Sequence, residues 1–282
     1  EQAAAEAEIA RLAGQEVHFD DLIDTPVTED EPLWLVLNFQ ARLNKRMLSN
    51  TDKEELRKIA RPERVESTMR FFKVYPGGYG EGDQFLCCSV PGTRLVAKEF
   101  YEMSLAELGK LIASPWHDDR LLALIILVRQ YKKGSEVERA AIYDFYIKHL
   151  DYVNNWDLVD TSAGNIVGEY LKDKSRDILF DLAASDNLWR RRVAMISTFA
   201  FIMDGNPATS LLIAEKLLHD KHDLIQKAVG WMLREIGKRV DRKILLQFLD
   251  EHAHDMPRTT LRYSIEHLDP AQREHYLKAK YS

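Results

Sequence analysis

Turns at Ser114, Asp151, Ser185, Asp220 and His254 each precede an apolar helical pattern, and successive turns lie 37, 34, 35 and 34 residues apart. A unit of that length holds a pair of helices but cannot bury its own apolar face, so neighbouring units must stack and share one core. Within the units apolar residues recur at three- and four-residue spacing, the period of a helix seated on a neighbour. Leu121-Leu122-Ala123-Leu124-Ile125-Ile126-Leu127 and Val193-Ala194-Met195-Ile196 are the densest stretches. The chain is therefore expected to be all-α, an α-solenoid of HEAT-like helical repeats. Helices are predicted over 31–48, 61–73, 91–102, 104–113, 118–132, 135–149, 154–171, 174–184, 187–203, 207–218, 222–239, 241–250, 257–267 and 270–279, with no run of strands from Leu33 onward.

The net charge of −6 argues against a polyanionic partner until its distribution is read. Residues 1–40 hold ten acids against the single base Arg11, a charge of −9, which leaves +3 for residues 41–282. Residues 1–30 are expected to form an acidic, flexible lead able to cover a basic groove, and residues 31–282 a single helical-repeat domain. Between Arg42 and Lys73 ten Lys and Arg face five acids, either a docking surface for a polyanion or a solvated helix face laced with ion pairs. Arg192 lies seven residues after Ser185 and Lys227 seven after Asp220, so the two bases recur at matching places in neighbouring units. With Arg190 and Arg191 nearby, a concave basic groove follows, suited to a DNA backbone; an acidic protein partner is the competing occupant.

Trp156 and Asp160 stand one helical turn apart at the start of an apolar helix, an indole face beside a carboxylate. That pairing suits a cation or a developing positive charge, and equally suits a packed Trp next to a helix-start acid. The Gly-rich stretch Tyr75–Asp83 lacks the Gly-Lys-Ser/Thr ending of a phosphate-cradling loop and is expected to be a mobile loop. Cys87 and Cys88 are adjacent, hence unsuited to bridging each other, and read as reduced thiols in a loop or strand-like segment. His252 and His254 fall in an expected inter-helix turn without a second ligand pair, so no metal and no cofactor are expected. No apolar run is long enough to span a membrane, which points to a cytoplasmic protein.

Five segments in order resemble the DNA alkylation repair glycosylases of the AlkD type. They are Tyr79-Gly80-Glu81-Gly82-Asp83 ahead of Val90-Pro91-Gly92-Thr93-Arg94; His117-Asp118-Asp119-Arg120; Asn155-Trp156-Asp157-Leu158-Val159-Asp160; Leu188-Trp189-Arg190-Arg191-Arg192-Val193-Ala194; and Leu224 through Glu235. The resemblance covers about Leu33 to the C-terminus. It implies hydrolysis of the N-glycosidic bond of N3- or N7-alkylated purines in double-stranded DNA; a monomer is expected because a solenoid needs no partner to close its core. It assigns Asp160 as the catalytic carboxylate, Trp156 and Trp231 as the indoles that cradle the damaged nucleotide, and Arg192 as the assisting arginine, with Lys227, Arg190 and Arg191 as backbone contacts. A non-excising binder of damaged or branched DNA, or a protein-binding scaffold, would keep the same fold.

Overall fold

The structure, a computed structural model, describes residues 51–278. The acidic lead and the helix expected over 31–48 lie outside the described residues. The elements are α1 (Thr51–Lys58), α2 (Val65–Phe71), α3 (Val90–Glu99), α4 (Leu105–Ile112), α5 (His117–Lys133), α6 (Glu136–Lys148), α7 (Trp156–Ala163), α8 (Asp177–Ala183), α9 (Leu188–Ser197), α10 (Phe199–Met203), α11 (Ala208–Lys216), α12 (Asp223–Arg239), α13 (Arg242–His252), α14 (Arg258–Ser264) and α15 (Pro270–Leu277). Among the described residues there is no strand, only an isolated bridge between Gln84 and Trp116.

The turn-to-turn period becomes a stack. α5, α7, α9, α12 and α14 each touch the next, forming one layer, with α6, α8, α11 and α13 packed against it. This is the α-solenoid expected from the period. Most helix starts are written locally. Ser104 and Glu107 close a capping box on α4, as do Ser135 and Glu138 on α6. Asn155, Asn187 and His222 accept backbone N–H groups at the starts of α7, α9 and α12. The core is one continuous apolar cluster from Leu56 to Tyr276, in which Leu122, Leu124, Ile126 and Leu127 are fully buried. Each such side chain contributes roughly 1.5–3 kcal/mol of burial free energy.

Several boundaries differ from the periodic reading, each for a local reason. The helix expected over 154–171 is α-helical only to Ala163 and continues as a π turn over Gly164–Gly168. There the Asn165 amide donates to the Thr161 carbonyl, and a Cβ on Gly168 would sit 2.1 Å from the Ser197 carbonyl oxygen. The turn thus lets α9 approach backbone to backbone. The helix expected over 187–203 breaks at Thr198, whose hydroxyl donates back to the Met195 carbonyl at 2.7 Å. α13 runs to His252, so His252 is helical, its ring 4.5 Å from that of Phe248 rather than in a turn. α1 was absent from the periodic reading because its charged sequence carries few apolar residues. Its Lys58–Glu55 pair at 2.5 Å and the Arg70–Glu66 pair on α2 are the ion-pair lacing anticipated for part of the basic run. Cys87 and Cys88 are free thiols in a loop, both raised by burial, and Cys88 donates to the Leu56 carbonyl. No helix among the described residues is long and apolar enough to cross a membrane.

Candidate functional site

The starts of α5, α7, α9 and α12 converge through polar contacts that pass from one repeat to the next. Asp160 lies on the second turn of α7 and is 5% exposed. Arg192 on α9 grips both of its oxygens, with Nε–Oδ1 at 2.8 Å and Nη2–Oδ2 at 2.6 Å. The third guanidinium nitrogen donates to the Leu224 carbonyl at the start of α12, at 2.5 Å, so one arginine ties three repeats together. Burial pushes the Asp160 carboxyl above its ordinary value, Arg192 pulls it back, and Asp157 adds a smaller push.

A second buried charge set anchors the start of α7. His117 is 3% exposed, its Nε2 2.7 Å from Asp157 Oδ2 and its Nδ1 3.5 Å from Asp83 Oδ2. Burial alone would push the imidazole down; the two carboxylates outweigh it, and the group is raised to about 9. Asp83 also receives Arg120 at 2.6 Å and the Asn155 amide at 3.3 Å. Burial resists its ionisation, but His117 and Arg120 win and hold the carboxyl below its usual value. Asn155 caps the helix that begins with Trp156, so this network sets where that indole stands.

Trp156 is half-buried and framed by aromatics from α2 and the Gly-rich stretch. Phe72 stacks on it at 5.5 Å and Phe71 meets it edge-on at 5.7 Å. Its indole faces the Tyr79 hydroxyl. Tyr79 donates to the Phe71 carbonyl at 3.1 Å and meets Trp189 and His222 edge-on, with centroids 5.9 and 6.5 Å away. Burial raises its phenol to about 12, so the hydroxyl stays a donor. The Gly-rich stretch, expected to be a mobile loop, is a set of turns folded onto the end of α2 and tied at Asp83 to α5 and α7.

The remaining residues singled out from sequence fall around this centre. Arg190 pairs with Asp151 at 2.9 Å, and Arg191 with Asp220 at 2.7 Å and with the carbonyls of Ser185 and Asp186. Lys227 pairs with Asp223 on its own helix at 3.5 Å. Its register match with Arg192 therefore does not extend to environment: one is a buried strut, the other half-exposed. Trp231 is half-buried two turns beyond Leu224, its ring 6.3 Å from Phe199. The neighbouring Gly230 has no room for a Cβ, which would meet Tyr263 at 2.5 Å, so α12 sits close on α14 there. Trp189 is buried in the core. Sequence reasoning gave no site role to Phe71, Phe72, Asp83, His117 or Asp157. The signal present was the pair of segments Tyr79–Asp83 and His117–Arg120, quoted for resemblance and never given a task.

A stack of helical repeats that gathers a carboxylate, a guanidinium and a framed indole near the starts of α7 and α9 defines a class of repeat protein with a built polar site. The sequence model of the DNA alkylation repair enzyme family matches residues 53–268, and the chain belongs to that family. The fold is similar to that of a solved structure titled a predicted DNA alkylation repair enzyme from Enterococcus faecalis, with a TM-score of 0.57 and 17% identity. That similarity covers 75% of this chain and 97% of the other. Comparison with curated protein sequences gives no significant match.

Proposed function

We propose that the protein is a DNA glycosylase that hydrolyses the N-glycosidic bond of N3- and N7-alkylated purines in duplex DNA. The observation that carries this reading is the buried Asp160 carboxylate, fixed by Arg192 one helical turn from the half-buried Trp156. An alkylated purine is already cationic, so the C1′–N bond breaks with its electron pair passing to the base, which leaves neutral without a general acid. Positive charge then moves to the deoxyribose. A preorganised carboxylate stabilises it and accepts the proton of the water that attacks C1′, leaving an abasic sugar and the free base. Trp156 and Trp231 present π faces to the sugar and its charge. Arg192 exchanges part of its hold on Asp160 for a phosphate, and Arg190, Arg191 and Lys227 contact the backbone further out.

The test is release of 7-methylguanine from a methylated duplex by the wild type and by Asp160→Asn, corrected for the folded fraction, with binding to the same duplex alongside. Loss of an acting carboxylate costs roughly 3–4 kcal/mol, about a hundred- to a thousandfold in rate. One observation favours a second reading. Both Asp160 oxygens are already engaged, and a carboxylate that never leaves Arg192 is a strut in a non-excising DNA binder. Binding with no release by the wild type supports that alternative.

A further inference from the structure

The cations that sequence placed on the DNA face each have a carboxylate: Arg190 has Asp151, Arg191 has Asp220 and Lys227 has Asp223. Lys73 is different. Its ammonium lies 5.3 Å from the centroid of the Tyr79 ring, and no carboxylate pairs with it among the described residues. The backbone is shaped for this placement. Lys73 has φ +51°, and Gly78 comes so close that a Cβ there would stand 2.0 Å from the Lys73 carbonyl oxygen. The chain therefore doubles back on Lys73 and lays the Tyr79 ring under its ammonium, a left-handed residue held by the packing around it. Tyr79 in turn faces Trp156 on α7 and touches Trp189 and His222 at the starts of α9 and α12. Burial pushes the His222 imidazole below its ordinary value, Asp223 and Asp220 push it back up, and Arg191 and Lys73 add smaller downward pushes that leave it lowered.

We propose that Lys73, held on the face of Tyr79, is the phosphate grip of the site. In this role the ammonium takes a backbone phosphate oxygen of the strand that lies against Trp156, and Tyr79 is the positioning residue that keeps it there. An ammonium on a ring face has already surrendered part of its hydration and has no internal counter-charge to release, so an arriving phosphate meets less competition there than at Arg190 or Arg191. The inference rests on the reading that the site binds DNA, and it does not depend on base release.

The experiment measures affinity for a duplex carrying a tetrahydrofuran abasic analogue, by fluorescence anisotropy between 50 and 200 mM salt, for wild type, K73Q, K73N, K73R and Y79F. Asn tolerates a left-handed backbone, so K73N keeps the test valid if K73Q folds poorly. The expected result is weaker binding by K73Q and K73N, with a salt slope shallower by about 0.9, the value for one lost phosphate contact. K73R restores the slope, and Y79F keeps the wild-type slope because the ring face that holds the ammonium remains; a slope in Y79F as shallow as in K73Q would overturn the ring as the positioning element. An unchanged slope in K73Q and K73N with wild-type binding intact overturns the grip alone. Wild-type binding without release of 7-methylguanine overturns the glycosylase reading alone, and a wild type with no affinity for the duplex overturns both.

Discussion

Raising the pH from 6 to 9 should remove about 3 kcal/mol of the stability that His117 contributes to the fold. The imidazole is 3% exposed and faces Asp157 on α7, Asp83 on the Gly-rich turns and Arg120 on its own helix, with the rings of Phe72 and Phe85 against it. Its folded value of about 9 lies above the ordinary 6.5. A group raised on folding contributes stability that is complete below its unfolded pKa and is lost as pH climbs through the folded one. The window is therefore pH 6.5 to 9, with a slope approaching about 1.4 kcal/mol per pH unit in its middle. Asp83, lowered on folding, contributes stability that disappears only at acid pH, and the raised thiols and phenols act near or above the top of the window; His222, lowered on folding, works in the opposite sense at its bottom, so the share of His117 is read from the gap between wild type and a His117 variant. The assay is urea unfolding at pH 6, 7, 8 and 9, with thermal melts alongside; a loss of 3 kcal/mol lowers Tm by roughly 6–12 °C for a chain of this size. His117→Gln should be less stable at pH 6, and the gap from wild type should close by about 3 kcal/mol by pH 9. A gap that stays constant from pH 6 to 9 would refute the buried imidazolium.

The other predictions concern single contacts. Asp160→Asn leaves the Arg192 guanidinium buried without its counter-charge and should destabilise by roughly 3–5 kcal/mol, with Asp160→Asn/Arg192→Gln recovering part of the loss in a double-mutant cycle of unfolding free energies. A Cβ on Gly168 would meet the Ser197 carbonyl oxygen at 2.1 Å and Ala200 Cβ at 2.8 Å, so Gly168→Ala should cost at least about 1–3 kcal/mol; wild-type stability in that variant would mean that α7 and α9 are not held at this spacing. Ser135→Ala removes the α6 cap and should cost about 1 kcal/mol, read as a shift in the urea midpoint at constant m-value.

The fold was legible because its information is periodic. The spacing of the turns at Ser114, Asp151, Ser185, Asp220 and His254 is carried by every unit, and caps such as Asn155 and Asn187 are local to the helices they start. What periodicity missed are places where one helix yields to another. The π turn at Gly164–Gly168 answers to the close approach of α9 at Ser197, which no window on a single helix contains, and the break at Thr198 rests on a hydroxyl back-bond that apolar spacing does not register. The site divides along the same line. Trp156 and Asp160 were visible together because one turn of helix joins them, and the Asp160–Arg192 pair because resemblance named both ends. Asp83, His117 and Asp157 form one network across separations of 34 and 40 residues, and a buried imidazolium between two carboxylates has no signature in spacing. Arg190 and Arg191 show the opposite failure. Counted as free charge in sequence, they meet Asp151 and Asp220 in the fold, while Lys73, one base among many in its run, rests on the Tyr79 ring beside Trp156 with no carboxylate paired to it among the described residues.

His117 also bears on which chemistry the site can carry. A histidine one repeat from the carboxylate invites the role of general acid for a departing base, but its geometry argues against it. Nε2 is bonded to Asp157, Nδ1 lies 3.5 Å from Asp83, the side chain is closed to solvent, and a folded pKa of about 9 holds the proton at neutral pH. A proton held that way is structural. The proposed reaction then has an anion and no acid at its centre, an arrangement suited only to leaving groups that are already cationic. It follows that activity on alkylated purines should be accompanied by near-complete inactivity on uracil or hypoxanthine in the same duplex, whose departure requires protonation or an equivalent electrophile. Release of either neutral base at a rate comparable to 7-methylguanine would require a proton donor that this arrangement of Asp160, Arg192 and Trp156 does not contain.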